Sequence, residues 1–297
     1  MTQQAWFESA RGALESRLRH WAGVFCAGVP SVLQQAWGHL LLASGKRLRP
    51  LLTLAASTAV SGECFPPLVA VDVACAVEML HTYSLIQDDL PCMDNDDLRR
   101  GLPSTHKQHG EAVALLASDA LLTNAVQVIL TSEFSDAQRV YILRVLMDAV
   151  GTQGMLLGQF RDIVLNLGGA SLEEVTTLHR QKTGALIRAA VVAGALAAGA
   201  TEAQCAQLDR FADALGMAFQ VMDDVLDVTG KSGVLGKTPG KDKKLGKTTF
   251  VDLFGTQGAR NVASEQLQQA LEAIQTWDIS AIGPLRALAA MTVDRTA

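Results

Sequence analysis

Two clusters of aspartates, each set in a strongly apolar stretch, constrain this chain more than any other feature. The first spans residues 88–97 and holds five aspartates, and the second spans residues 223–227 and holds three. Two carboxylates about 4 Å apart repel by roughly 4 kcal/mol at an effective dielectric constant near 20. Such crowding in apolar surroundings predicts a cation between the carboxylates. Because no Cys or His pair stands at ligand spacing nearby, all ligands would be oxygen, and sites that share a metal with phosphate favour Mg²⁺.

The periodicity of apolar residues predicts an all-α protein. Apolar residues recur at intervals of three and four, and Pro50 stands where a first helical turn would begin. Capping boxes precede three apolar-periodic stretches, at Ser135/Gln138, Ser171/Glu174 and Thr201/Gln204. Loops are predicted at residues 62–67, 91–109, 166–171 and 230–247. No linker and no convincing strand hairpin is visible, so we predict one domain over residues 1–297, a single large helical bundle of about ten or more helices around a central cleft.

Composition limits the partners of the chain. The net charge is −5 and no basic face is evident, so we expect no nucleic acid partner. The five cysteines are scattered, which favours reduced thiols. The first residues lack the layout of a signal peptide, and the longest apolar run, residues 189–200, is too short to span a bilayer. These observations predict a cytoplasmic protein with no membrane association.

The second cluster lies on one stripe of a predicted helix over residues 208–228. Gln220, Asp223, Asp224 and Asp227 follow at i, i+3, i+4 and i+7, and the positions between them are apolar. A carboxylate stripe with apolar flanks is typical of a helix that lines a wet or metal-filled cavity. The alternative is a solvated outer face.

The first cluster is predicted to end a helix. His81, Leu85 and Asp88 follow at i, i+4 and i+7, and Pro91 would end the helix shortly after Asp88. The remaining aspartates of the cluster, including Asp94, would lie in the next loop. Taken alone these could be turn-forming aspartates, and His81 could be an ordinary core histidine.

Basic residues accompany both clusters. Lys46, Arg47 and Arg49 stand just before a predicted helix N-terminus, where free N–H groups add positive potential. Arg99 and Arg100 follow the first cluster, and Lys182 and a lysine-rich loop supply further cations. Each patch read singly could be a solvated surface. Because no nucleotide-binding loop and no nucleophile–base arrangement is present, the set indicates metal and cations that stabilise a departing diphosphate.

These motifs resemble the trans-isoprenyl diphosphate synthases, and most nearly the bacterial farnesyl diphosphate synthases (geranyltranstransferases). The resemblance runs from about residue 40 to residue 249 and implies a helical bundle, usually a homodimer. It rests on six ordered motifs: Gly45-Lys-Arg-Leu-Arg-Pro50, Asp88-Asp-x4-Asp94, Leu98-Arg-Arg-Gly101, Lys182-Thr-Gly184, Phe219-Gln-x-x-Asp-Asp-x-x-Asp227 and Gly246-Lys247.

The resemblance also implies roles for individual residues. Three Mg²⁺ would be carried by Asp88, Asp94 and Asp223, supported by Asp89, Asp224 and Asp227. The allylic diphosphate would be held by Arg99, Lys182, Lys237 and Lys247. Isopentenyl diphosphate would be held by Lys46, Arg49, His81 and Arg100, while Thr183 and Gln220 would face the nascent carbocation. The expected catalytic set is therefore Asp88, Asp89, Asp94, Arg99, Lys182, Thr183, Gln220, Asp223, Asp224 and Asp227.

The implied reaction is ionisation, condensation and elimination. Diphosphate leaves dimethylallyl or geranyl diphosphate, isopentenyl diphosphate attacks the carbocation, and a proton is lost. Tyr83, with Ser84 beside it, lies about 7.5 Å along the helix axis before Asp88. An aromatic there, with two extra residues in the first motif, is similar to the pattern of farnesyl (C15) synthases, and Tyr83 would form the channel floor. It could also be an ordinary core aromatic.

Three alternatives stay open: a geranylgeranyl (C20) product of the same chemistry, a terpene cyclase, and a non-catalytic subunit. The intact second cluster argues against the last two. The chain departs from the family pattern at Gln87, at Ser44-Gly45, in the sequence Leu157-Gly-Gln-Phe-Arg-Asp162 and at its C-terminal residues 293–297.

Overall fold

The structure, a computed structural model, describes residues 2–164, 169–229 and 247–294, and these are predominantly helical. Thirteen α-helices occur in these ranges: α1 Gln3–Val24, α2 Ser31–Leu41, α3 Leu48–Ser61, α4 Leu68–Asp88, α5 Thr105–His109, α6 Glu111–Thr131, α7 Asp136–Val150, α8 Met155–Val164, α9 Leu172–His179, α10 Ala185–Ala197, α11 Glu202–Thr229, α12 Phe250–Ala273 and α13 Gly283–Val293. A π-helical turn, Arg180–Gly184, joins α9 to α10. The prediction of an all-α protein is confirmed.

Local sequence signals account for many helix ends. The Ser135 and Ser171 side chains accept from the backbone N–H of Gln138 and Glu174, which close the capping boxes of α7 and α9. The Thr201 box forms as well, with the Gln204 N–H donating to the Thr201 hydroxyl over 3.3 Å. Each predicted capping box is therefore present.

The core is built around α4, which is buried on nearly all sides. A helix that is apolar all round belongs in the interior of a bundle, and α4 packs against α3, α6 and α10. Close approach of α10 to α3 depends on Gly194, because a Cβ there would lie 2.1 Å from the Thr53 carbonyl oxygen. Burial of α4 places its C-terminal Asp88 at the end of a rigid element.

The connection from α4 to α5 differs from the prediction. Helix α4 ends at Asp88, before Pro91, and the following segment contains a two-stranded hairpin, β1 Leu98–Arg99 and β2 Leu102–Pro103. The expectation of no hairpin was wrong, because strands of two residues are too short to give an alternating pattern. The predicted loop at 62–67 lies between α3 and α4 as expected, whereas most of the loop at 230–247 lies outside the described residues.

Three stretches are long and apolar enough to cross a membrane by length and composition: Leu68–Asp88, Glu111–Thr131 and Asp136–Val164. The first is largely buried inside the protein, at 72%, while the last is only 22% buried. The first is thus explained by its place in the core. The other two carry an apolar outer face that the described parts of the chain do not cover.

Candidate active site

Asp88 stands at the end of α4 with the next loop folded back over it. The Asp94 N–H donates to the Asp88 carbonyl oxygen over 2.8 Å. Gln159 of α8 donates to the Asp88 carboxylate over 2.6 Å. Burial raises the pKa of Asp88 to about 6, and the carboxylates of Asp94 and Asp89 act in the same direction, against the Lys182 and Arg99 cations. Asp88 and Asp94 therefore form a crowded, strained pair of carboxylates.

Asp89 has a different environment from its neighbour Asp88. It is fully buried, and the Arg99 Nε donates to it over 3.0 Å. Arg99 also reaches the Asp96 carboxylate over 3.3 Å. Burial raises the pKa of Asp89 although Arg99 opposes the shift. The Arg99 guanidinium, predicted to hold an allylic diphosphate, is engaged by these two carboxylates in this structure.

A third carboxylate, Asp162 of α8, joins two of the predicted cations. Its two oxygens accept from the Lys182 Nζ over 2.5 Å and from the Lys247 Nζ over 2.7 Å. Burial acts to raise the pKa of Asp162, but the two lysines prevail and lower it. Burial likewise acts to lower the pKa of Lys182, and Asp88 and Asp162 reverse this effect and raise it. Lys182 therefore stays a cation beside Asp88.

Helix α8 can carry Asp162 there because Gly158 has no side chain. A Cβ at Gly158 would lie 2.3 Å from the Lys182 backbone nitrogen. Such a distance is incompatible with packing of α8 on the π-helical turn that bears Lys182. This glycine is therefore required for the close approach of the two elements.

The polar stripe of α11 faces this lysine. The Thr183 hydroxyl, next to Lys182, donates to the Gln220 side chain over 2.7 Å. Gln220, Asp223 and Asp227 are half-buried, and the α11 residues between them are buried. The stripe is thus not a fully solvated outer face, and its Gln220 contacts the turn that carries Lys182.

Asp224 takes no part in that open stripe. It is 4% exposed, and its carboxylate accepts from the Phe250 N–H over 3.0 Å and from the Gln220 amide over 3.3 Å. The His179 Nε2 lies 3.2 Å from the same carboxylate. Asp224 therefore ties α9 and α11 to the first residue of α12, a few positions after Lys247.

A cationic subsite surrounds His81, two helical turns before Asp88 on α4. The Arg49 Nη1 lies 3.5 Å from the His81 Nε2. Burial lowers the pKa of His81 well below its usual range, and the guanidinium groups of Arg49, Arg100, Arg99 and Arg47 lower it further. His81 is consequently a neutral imidazole in a strongly positive field. Lys46 is exposed at the edge of this subsite.

Arg47 is not available to a ligand, which corrects the prediction of a three-cation cradle. Its side chain is fully buried and donates to Glu15 over 2.9 Å and to the Leu41 and Ala43 carbonyl oxygens over 2.8 Å each. Arg100 is also engaged, since it donates to the Leu40 carbonyl oxygen over 2.7 Å and to Glu78 over 2.8 Å. Spacing along the chain could not reveal which arginines turn inward.

The residues predicted to set product length lie below Asp88 on α4. Tyr83 is 9% exposed, and burial raises the pKa of its phenol, with the Asp119 and Asp88 carboxylates adding to the effect. Ser84 is half-buried, and its hydroxyl donates to the His81 carbonyl oxygen over 2.9 Å. The predicted diphosphate ligand Lys237 lies outside the described residues.

The carboxylates were tested for their fit to Mg²⁺. Among the residues that the structure describes, no three Asp, Glu, His or Cys side chains converge closely enough to bind a metal unaided. Mg²⁺ in sites shared with phosphates commonly takes only one or two carboxylates and completes its shell with water and phosphate oxygens. Asp88 and Asp94 supply oxygen donors alone, and their mutual repulsion would be relieved by a dication. This donor set fits Mg²⁺ shared with a diphosphate.

A separate surface concavity of about 930 Å³ lies between α10, α11 and α12. Its charged lining is internally paired, since Arg188 binds Asp209 and Arg180 binds Asp213. It is distinct from the acidic clusters and offers no crowded carboxylates.

Comparison with known proteins agrees with this geometry. The Polyprenyl synthetase family matches residues 30–282. The chain is 45% identical over 263 residues to a chloroplastic geranylgeranyl pyrophosphate synthase of Capsicum annuum, covering 88% of this chain and 70% of that protein. A Helicobacter pylori geranyltransferase solved with magnesium and isoprenyl diphosphate is 30% identical with a TM-score of 0.85, covering 98% and 97% of the two chains. An FPP/GFPP synthase of Zymomonas mobilis is 31% identical with a TM-score of 0.83, covering 98% and 100%.

The chain belongs to the polyprenyl synthetase family, the trans-isoprenyl diphosphate synthases. It is accordingly a short-chain trans-prenyltransferase of isoprenoid biosynthesis that acts on prenyl diphosphates.

Sequence reasoning overlooked four residues that organise the site: Glu78, Gln159, Asp162 and His179. Gln159 and Asp162 carried a usable signal, because they stand at i and i+3 on one face of α8 in a stretch that was noted only as a departure from the family pattern. Glu78 and His179 gave no such signal, since their partners are far along the chain.

Proposed function

We propose that this protein condenses isopentenyl diphosphate with dimethylallyl and geranyl diphosphates to give farnesyl diphosphate in a Mg²⁺-dependent reaction. The observation that carries the proposal is that Lys182 interacts with the Asp88 carboxylate while its neighbour Thr183 binds Gln220, so that the two aspartate-bearing helices approach the same lysine turn. Asp88, Asp94 and Asp223 would hold Mg²⁺, which would neutralise charge on the departing diphosphate. Asp162 holds Lys182 and Lys247 side by side, so that both ammonium groups face the same leaving group.

The other residues of the site would guide the carbocation and its partner. Thr183 and Gln220 place two oxygens beside the position of Lys182, where partial negative charge favours a nascent cation. His81, kept neutral, would donate or accept a hydrogen bond at the isopentenyl diphosphate without adding charge. No side chain in the described part of the site stands out as a dedicated base, and the departed diphosphate would accept the proton.

The C15 product length rests on Tyr83. Its ring is buried on α4 near the Asp88 carboxylate, at a depth where it would end the channel of a growing chain. A C20 product is the second candidate, and the 45% identity to a geranylgeranyl pyrophosphate synthase favours it. Ser84 also favours a C20 product. It stands four residues before Asp88 and therefore lies more nearly below Asp88 on the helix surface than Tyr83, which stands five residues before it. A small serine at that position would leave room for a longer chain.

Product sizing separates the two lengths. Purified protein is incubated with Mg²⁺, isopentenyl diphosphate and dimethylallyl diphosphate, and the dephosphorylated products are separated by chromatography. We expect C15 from the wild type and C20 or longer from Tyr83→Ala, while Ile279→Ala, at an exposed apolar residue away from the site, keeps the wild-type product. A wild type that makes C20, or a Tyr83→Ala product of unchanged length, contradicts the floor assignment. Hydrocarbon release from farnesyl diphosphate alone would instead indicate a cyclase.

We also propose that the protein is a homodimer. The outer faces of α6, α7 and α8 expose large apolar side chains, namely Leu115, Leu116, Leu130, Val140, Tyr141, Leu156 and Phe160. Contiguous apolar surface of this kind marks protein interfaces. Light scattering should give a dimer for the wild type and a monomer for Leu116→Glu, while Ile279→Glu, a charge placed on an exposed residue elsewhere, should remain dimeric. A monomeric wild type would refute the assembly.

A further inference from the structure

Helix α1 reaches the cationic subsite although it lies outside the segment that matches the family. The match begins at residue 30, and α1 ends at Val24. Arg11 of α1 nevertheless donates to the Gly45 carbonyl oxygen over 2.8 Å and to the Lys46 carbonyl oxygen over 3.1 Å. Helix α1 therefore contacts the loop that carries Lys46 and leads into Arg49.

This loop is held in a strained conformation. Arg47 has a left-handed backbone, with φ of 52°. Such a conformation is unfavourable for a residue with a side chain and persists only where surrounding contacts enforce it. The contacts here are the bonds from the Arg47 guanidinium to Glu15, Glu78 and two carbonyl oxygens of the loop. Because Lys46 and Arg49 flank Arg47, its backbone conformation sets the direction of both.

Glu78 connects the strained loop to the other side of the subsite. It is 1% exposed, and its Oε1 accepts from Arg47 over 2.5 Å and from Arg100 over 2.8 Å. Arg100 packs against Gly45 and also has a left-handed backbone, with φ of 55°. One buried carboxylate thus fixes two strained arginines, and Glu15 of α1 supplies the second negative charge to this group.

We propose that Arg11 and Glu15 of α1 are positioning residues for the isopentenyl diphosphate subsite, acting through the Arg47 turn on Lys46, Arg49 and Arg100. This inference rests on the proposed function, which assigns that subsite to isopentenyl diphosphate. Neither residue would touch the substrate. Together they would hold the turn in the conformation that directs the flanking cations to one diphosphate.

The test is a split between the two substrates in steady-state kinetics. For Arg11→Ala combined with Glu15→Gln we expect the KM for isopentenyl diphosphate to rise by about tenfold, which corresponds to the loss of two modest hydrogen bonds. The KM for the allylic substrate should change less than about twofold, since Lys182 and Lys247 are held separately by Asp162. When Glu15→Asp replaces Glu15→Gln in this double variant, the negative charge is kept. The KM for isopentenyl diphosphate should then rise by less.

Matched controls lie on the same helix. Glu8→Gln and Arg19→Ala make the same changes of charge at exposed positions of α1 that do not contact the loop, and both should keep the wild-type KM values. Thermal unfolding of every variant is recorded in parallel. Equal changes in both KM values, or a lowered Tm with both KM values intact, would show that α1 is only structural and would overturn the inference.

Calorimetric titration with isopentenyl diphosphate alone separates this inference from the proposed function. Weaker binding to the double variant than to the wild type supports the inference even if no condensation is measured. A wild type that binds isopentenyl diphosphate but forms no prenyl product contradicts the proposed function alone. An active wild type whose double variant binds isopentenyl diphosphate equally well contradicts the inference alone.

Discussion

The two aspartate clusters each begin with an adjacent Asp–Asp pair, and the second member of each of these opening pairs, Asp89 and Asp224, is buried. Asp89 is balanced by a guanidinium, since Arg99 binds it and also reaches Asp96. Asp224 is satisfied instead by a backbone N–H, an amide and an imidazole. The first cluster therefore keeps its loop in place with an ion pair, whereas the second holds the start of α12 with hydrogen bonds. In both, the first member of the pair is left more open to the site.

This difference separates two kinds of acidic residue that look alike in sequence. Asp88 and Asp223 are half-buried, and we propose that they bind Mg²⁺. The carboxylates of Asp89 and Asp224 bind groups of the protein itself. Substitution should consequently affect catalysis in one class and stability in the other.

The largest expected effect is the loss of catalysis when an open aspartate is removed. Asp88→Ala and Asp223→Ala should each lower kcat by about a hundredfold to a thousandfold, because charge on the departing diphosphate would lose part of its compensation. The Tm in metal-free buffer should not fall. Initial rates at several Mg²⁺ concentrations provide the measurement.

Asp148→Ala is the matched control for these two substitutions, since Asp148 is an exposed aspartate on α7. It should retain the wild-type rate. If Asp88→Ala and Asp223→Ala also kept near-normal rates, the open aspartates would not be metal ligands and the division between the two classes would fail.

The next effect is a loss of stability when a buried aspartate is removed. Asp89→Ala leaves Arg99 without its main buried partner, and Asp224→Ala leaves the Phe250 N–H and the His179 ring without an acceptor. Each should lower the free energy of unfolding by about 3 kcal/mol, or about 6–12 °C in Tm. Differential scanning fluorimetry in metal-free buffer measures the shift. A Tm within about 1 °C of the wild type would show that these contacts are not structural.

A smaller effect concerns pH. The pKa of Asp88 is about 6 in the folded protein and 3.8 for an unperturbed carboxyl. Between these values the folded state binds more protons than the unfolded state, so the Asp88 contribution to stability is present below about pH 4 and is lost as pH rises through about 6. Asp88→Asn removes this dependence. Near pH 7.5 it should be more stable than the wild type by about 1–3 kcal/mol, and near pH 4 the two should match.

Urea unfolding at both pH values, with a chelator to exclude Mg²⁺, provides the comparison for Asp88→Asn. Asp148→Asn serves as the control and should show no pH-dependent difference from the wild type. If Asp88→Asn had the same stability as the wild type at pH 7.5 as well as at pH 4, Asp88 would be solvated and not destabilised by burial.

Local signals predicted the fold well because helices depend on short-range pattern. The Ser135 and Ser171 caps, the apolar character of α4 and the stripe of α11 are each read from residues at most seven positions apart. The hairpin at Leu98–Pro103 escaped prediction because it has only two residues in each strand. What depended on periodicity was predicted, and what depended on a few turn residues was not.

The candidate site was only partly predictable, because residue type does not determine direction. Arg47 and Arg49 are two positions apart in one motif, yet Arg47 is fully buried while Arg49 lies beside His81. Asp162 shares a helix face with Gln159, but its partners are one lysine twenty positions away and another in a different part of the chain, so the local pattern does not reveal what it binds. Tertiary packing decides these roles, and a single sequence does not record it.

The smallest expected effect is at Asp97, which shares the first cluster with Asp88 but has a different environment. Its side chain is 78% exposed and lies 2.9 Å from the Lys107 Nζ, which is itself 44% exposed. Exposed ion pairs contribute little, and the bond from the Ser104 N–H to the Asp97 carbonyl oxygen would survive substitution. Asp97→Ala should therefore change stability by less than about 0.5 kcal/mol and kcat by less than about twofold. A large loss of rate would instead assign Asp97 a catalytic role like that proposed for Asp88 and Asp223. The environment of an aspartate would then no longer distinguish its role.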